Sequence, residues 1–100
     1  ECLLGVRRAG VEEAVLASLQ ASDPGIDWRA RSAYNLERMM VHGARRAAEV
    51  EEVCVTLQEL GLPDWMSRGT VAWQRAVATL GLEPGEDDLT ARTDLILSRL

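Results

Sequence analysis

One hundred residues, 47% of them apolar, are enough for one small domain with a single core, and they exclude wholesale disorder. A net charge of −5, from 16 acidic against 11 basic residues, excludes a general nucleic-acid binder, which needs surplus cations to neutralise phosphates. No apolar run is long enough to span a bilayer and the start lacks a signal-peptide layout, so a cytoplasmic protein without membrane contact is expected.

Phe is absent, Tyr34 and three Trp are the only aromatic residues, and no stretch alternates apolar and polar for long, which makes the class all-α. Glu1 to Ala9 reads as the end of a helix closed by Gly10, as though the chain were cut from something longer. Val11 to Gln20 is a second short helix, with Glu12 and Glu13 in its first turn where they suit the helix dipole. Ser22-Asp23-Pro24-Gly25 is a turn, after which Asp27 caps the longest element, Trp28 to Leu60. Gly61 ends that helix and Pro63 prevents its continuation. A helix from Asp64 to Leu80 follows, with Gly81 after it. Glu83-Pro84-Gly85-Glu86 is a loop, and Asp87 or Asp88 caps a last helix running to Leu100. The expected architecture is a bundle of four to five helices around one long central helix. Residues 1–82 form the helical domain, and residues 83–100 are a loop and terminal helix packing on it.

The long helix carries most of the information. Leu36, Met40, Gly43, Ala47, Val50, Cys54 and Leu57 alternate four and three apart and draw one apolar stripe. Gly43 costs a helix interior about 1 kcal/mol relative to Ala, which points to close approach of another helix. On the opposite face Arg38, His42, Arg45 and Glu49 follow at the same spacing, with Arg46 at the flank. Three arginines and the only His thus share two turns of an otherwise acidic domain. One reading is a solvated face with Arg45–Glu49 and Arg46–Glu49 pairs. The other is an anion-binding surface for a carboxylate or phosphate, with His42 as a proton donor.

The remaining features are plainer. All basic residues are arginine; Lys does not occur. Cys2 and Cys54 are expected as free, buried thiols and not as a disulfide. Trp28, Trp65 and Trp73 read as core or interface anchors, with Trp65 and Met66 packing the junction after Gly61-Leu62-Pro63. Glu51 and Glu52 are adjacent on a helix and point different ways, so they do not make a paired-carboxylate site. No Gly-rich phosphate loop, CxxC or HExxH occurs, so no metal site and no complete catalytic constellation is expected.

The segment Leu36-Glu37-Arg38-Met39-Met40-Val41-His42-Gly43-Ala44-Arg45-Arg46-Ala47-Ala48-Glu49-Val50-Glu51-Glu52-Val53, continuing through Thr56-Leu57 and Glu59-Leu60-Gly61-Leu62, resembles a known family. So do Arg8 to Glu13, Pro24 to Trp28, and Trp73 to Leu82. It is similar to the helical C-terminal domain, itself of unknown function, of NAD-binding 6-phosphogluconate-dehydrogenase-like proteins of the β-hydroxyacid dehydrogenase group. The resemblance implies an N-terminal Rossmann domain of the same protein as partner, NAD or NADP bound mainly by that absent domain, and a homodimer. It places Arg45-Arg46 where better-known relatives carry a Lys-Asp pair facing the cleft. The proton-transfer Lys of those relatives lies on a helix preceding these, and the cofactor fingerprint is likewise absent here, so the fragment would not be catalytic alone.

Two functional readings follow. In one, the chain is the substrate-side and dimerisation domain of an NAD(P)-dependent oxidoreductase acting on a hydroxy acid or related carbonyl compound. Arg38, His42, Arg45, Arg46 and Glu49 then form the anion-binding face. In the other, it is a non-catalytic dimerisation module whose seam is the stripe Leu36, Met40, Gly43, Ala47 and Val50. A family that lost catalysis and remains a regulatory binder is a third reading.

Overall fold

The computed structural model describes residues 1–100 and contains five helices and no strand. They are α1 (Cys2–Arg8), α2 (Glu12–Ser22), α3 (Trp28–Glu59), α4 (Trp65–Thr79) and α5 (Leu89–Leu97). The all-helical bundle around one long helix is the architecture the sequence implies. The boundaries have local causes. The Asp27 carboxylate accepts from the Ala30 N–H at 3.0 Å at the head of α3, and Asp88 does the same for Ala91 at the head of α5. At the tail of α3, Gly61 takes φ +70° and its N–H reaches the Gln58 carbonyl, while the Leu62 N–H reaches that of Leu57. Only a residue without Cβ enters that left-handed conformation freely, so Gly61 fixes where α3 stops.

The main core lies around the N-terminal half of α3. Leu4 of α1, Leu16 of α2, Ala33, Leu36 and Met40 of α3, Val77 of α4, and Leu89 and Ile96 of α5 form one buried cluster. Burying each large aliphatic side chain among these stabilises the fold by about 1.5–3 kcal/mol. The C-terminal half of α3 is built differently. It pairs with α4 as a helical hairpin around a thin second cluster of Ala47, Cys54 and Val71, with Val50 against it. Here α4 comes close because position 43 is Gly: a Cβ there would lie 2.6 Å from the Gln74 carbonyl oxygen.

Three sequence expectations are corrected. Cys54 is buried, but Cys2, on the first turn of α1, is exposed, because no other helix covers it; both thiols are free. Trp65 and Met66 do not pack the junction: they are 81% and 88% exposed. Trp65 stands nine residues before Gln74, whose carbonyl oxygen abuts Gly43 of α3, and is therefore half a turn round α4 from that contact. Trp28 and Trp73 do pack against the core, their indole N–H groups donating to the Asp23 carbonyl and the Glu1 carboxylate, both at 3.0 Å. Finally, the stripe Leu36, Met40, Gly43, Ala47 and Val50 is covered inside the chain, with Leu36, Met40 and Ala47 at most 7% exposed. It is packing surface and offers no seam.

The two ends of the chain are tied by charge. Arg7 grips Asp94 through the Nε–Nη2 edge of its guanidinium, at 2.7 and 2.8 Å, and holds the Asp94 carboxyl below its ordinary range. A carboxylate depressed in the folded state stabilises fully above its unfolded pKa and loses that contribution as pH falls toward the folded value. Asp94 is solvent-exposed and Arg7 partly so, which keeps the contribution small and lets salt weaken it. Thermal melts from pH 5 down to pH 2 should therefore show a steeper acid loss for the wild type than for Asp94→Asn. Parallel curves would remove this pair from the account.

Candidate basic face of the long helix

The residues that spacing sets on one face of α3 stand in different environments. Arg38, His42 and Arg46 are partly buried, whereas Arg45 and Glu49 are exposed. Arg45 is satisfied by Glu49 at 3.3 Å across one turn, as the solvated reading expects. The companion pair expected between Arg46 and Glu49 does not form.

Partnering separates the arginines further. Arg7, Arg29, Arg45, Arg68, Arg75 and Arg92 each have a carboxylate partner. Of the five without one, Arg8, Arg31 and Arg99 are exposed to water, which solvates them. Arg38 and Arg46 are not. The Arg38 guanidinium lies 5.8 Å from the centroid of the Tyr34 ring, and its Nε is buried with no hydrogen-bond partner. A cation–π contact compensates part of the charge but gives the N–H no acceptor. Two half-desolvated cations without anions thus stand two turns apart, with His42 between them. That arrangement suits an anion carrying several acceptor oxygens.

Sequence reasoning missed Tyr34, which spacing alone places one turn before Arg38. It also missed the apolar edge beside this face, where Met39, Trp65, Met66 and Trp73 line an open cavity of about 430 Å³ with Glu1, Gly69, Thr70 and Gln74. Of the two aspartates expected as caps, Asp88 caps α5, while Asp87 accepts from Arg92 at 2.9 Å instead. No three His, Cys, Asp or Glu side chains converge as metal ligands, and no helix is long and apolar enough to cross a membrane.

The family model described as Domain of unknown function (DUF1932) matches residues 7–77, which include the whole basic face. The chain belongs to the DUF1932 family. The DUF1932 fold seen here is also that of a solved structure, a conserved hypothetical protein from Sinorhizobium meliloti 1021, with a TM-score of 0.87 and 34% identity. The likeness covers 99% of this chain and 34% of that one, so this DUF1932 chain spans about a third of the length of that relative. No curated protein matches it.

Proposed function

We propose that the chain is the substrate-side and dimerisation domain of an NAD(P)-dependent oxidoreductase acting on a hydroxy acid or related carbonyl compound. A Rossmann half elsewhere in a longer protein would hold most of the dinucleotide. Three things support the reading: the resemblance of the α3 segment to 6-phosphogluconate-dehydrogenase-like proteins, the length of the solved relative, and the basic face. The observation that carries it is the last, the pair of partly buried arginines without carboxylate partners flanking His42. Arg38 and Arg46 hold a substrate carboxylate or a cofactor phosphate, and His42 orients the bound group through a hydrogen bond. Arg45, already paired with Glu49, plays a lesser part. The dinucleotide, when bound, supplies or accepts the hydride; this chain positions the anion against it and closes one wall of the site.

In the longer protein Arg46→Ala should raise KM for the anionic ligand by about 10- to 100-fold, the worth of one charge-assisted hydrogen bond. Arg45→Ala should change it little. Steady-state kinetics of both variants and of Arg38→Ala check this. Unchanged constants for Arg38→Ala and Arg46→Ala together would remove the anion-binding role. The alternative, a non-catalytic interaction module, draws its support from the exposed Trp65 and Met66.

A further inference from the structure

Arg38 is held by an aromatic ring where other arginines of the chain are held by a carboxylate. Arg68 shows the ordinary arrangement: Asp64, four residues earlier, accepts from its guanidinium at 2.7 Å. Arg45 is satisfied in the opposite direction, by Glu49 four residues later at 3.3 Å. Around Arg38 the positions three and four residues away hold Tyr34, Asn35, Val41 and His42, and none is acidic. The place that Asp64 has relative to Arg68 is taken by Tyr34, whose ring centroid lies 5.8 Å from the guanidinium carbon of Arg38. Tyr34 is 52% exposed, so its ring is no part of the core.

A ring and a carboxylate leave an arginine in different states. A carboxylate neutralises the cation and occupies its N–H donors. A ring attracts the cation through its quadrupole and occupies no donor. Arg38 therefore keeps its charge and its donors. Of its three nitrogens only Nε is buried without a partner, so the two Nη groups are the ones a ligand can reach. The ring beside the guanidinium and the burial of Nε also confine a side chain that otherwise rotates freely. An arginine confined before it meets an anion loses less freedom on binding one. We propose that Tyr34 is a positioning residue for the anion site: it holds Arg38 in place of a carboxylate, so that the Nη donors stay free for an oxyanion. This role rests on the reading of Arg38 and Arg46 as anion-binding residues, and it explains how the first of them stays without a neutralising partner.

Titration of the 100-residue chain with inorganic phosphate tests it, at constant ionic strength and followed through the NMR signals of the arginine side chains. Tyr34→Phe should bind phosphate as the wild type does, because the ring is kept. Tyr34→Ala should weaken binding about 3- to 5-fold, the worth of an exposed cation–π contact. Tyr34→Glu should weaken it by about 10-fold or more, since the new carboxylate would take the Arg38 donors as Asp64 takes those of Arg68 and would repel the anion. In urea, however, Tyr34→Glu should be at least as stable as the wild type, because an ion pair across one turn supports a helix. A tyrosine with a merely structural role would not give lost affinity at undiminished stability. If Arg38→Ala weakens binding while Tyr34→Ala and Tyr34→Glu leave it unchanged, Tyr34 positions nothing and the anion site stands. A Tyr34→Phe variant as weak as Tyr34→Ala would assign the effect to the hydroxyl and overturn the role of the ring. If Arg38→Ala binds phosphate as the wild type does, or the wild type does not bind it, the anion site at Arg38 falls and the role of Tyr34 falls with it.

Discussion

Replacing Arg92 with Ala should cost the domain about 3 kcal/mol or more, a large share of the 5–15 kcal/mol that holds a typical domain together. Arg92 is 5% exposed, yet it belongs to the short last helix. Its Nη1 donates to the Ala33 carbonyl of α3 at 2.7 Å and to the Asp87 carboxylate at 2.9 Å, while its Nε donates to the Pro84 carbonyl at 3.1 Å. One rigid planar group thus joins α5, the loop that precedes it and the central helix. Removing it leaves the Pro84 carbonyl without this donor, opens a cavity beside Ala33 and frees the loop at once. Arg92→Lys should recover only part of the loss, since a single ammonium does not reproduce the fork of donors. Asp87→Ala should cost under about 1 kcal/mol, because that carboxylate is 78% exposed. Urea unfolding of the three variants measures the ranking. A loss below about 1 kcal/mol for Arg92→Ala would show that this tether is not what fixes α5.

The same residue marks the limit of what the sequence discloses. Helix ends are announced locally: Gly10, Gly61 and Gly81 all take positive φ where a stop is expected, and Asp27 and Asp88 both cap. The face of α3 that is buried is also readable, because a period of about 3.6 residues names a face. Which element covers that face is a different matter. The stripe of α3 reads equally well as a subunit seam or an internal contact; α1, α2, α4 and α5 cover its Leu36–Met40 end and α4 covers its Ala47–Cys54 end. Burial of charge is equally silent. Glu12 looks like an ordinary first-turn carboxylate but is 3% exposed, set against Arg7 at 3.6 Å and accepting from the Thr90 hydroxyl at 3.1 Å, both brought there by the fold. In the candidate site, spacing sets Arg38, His42, Arg45, Arg46 and Glu49 on one face of α3. It does not tell which arginine Glu49 neutralises, because Arg45 and Arg46 both stand within a helical turn of it. That choice leaves Arg45 satisfied and Arg46 without an anion.

Gly43→Ala should destabilise the domain by about 2 kcal/mol, against the usual preference of a helix for Ala. Two effects compete. Removing Gly from the interior of α3 should gain up to about 1 kcal/mol by restricting the unfolded chain. The new methyl, however, would lie 2.6 Å from the Gln74 carbonyl oxygen and 3.0 Å from the Ala78 Cβ. The first of these is backbone, which does not rotate aside, so α4 must move outward as a body. That movement loosens Val71 against Ala47 and Cys54, the small cluster that holds the hairpin together, and overpacking of this kind costs about 1–3 kcal/mol before the movement is counted. Gly43→Val, with two more methyl groups and a stiff side chain, should lose still more. Gly5 provides the control, since a Cβ there meets nothing within 4 Å and Gly5 lies inside α1 with ordinary helical geometry. Gly5→Ala should therefore raise stability by about 0.5–1 kcal/mol. The same chemical change then has opposite signs at two positions of one chain, measured side by side by urea denaturation. If both alanines stabilise, α4 does not sit against α3 as closely as the Gln74 carbonyl requires.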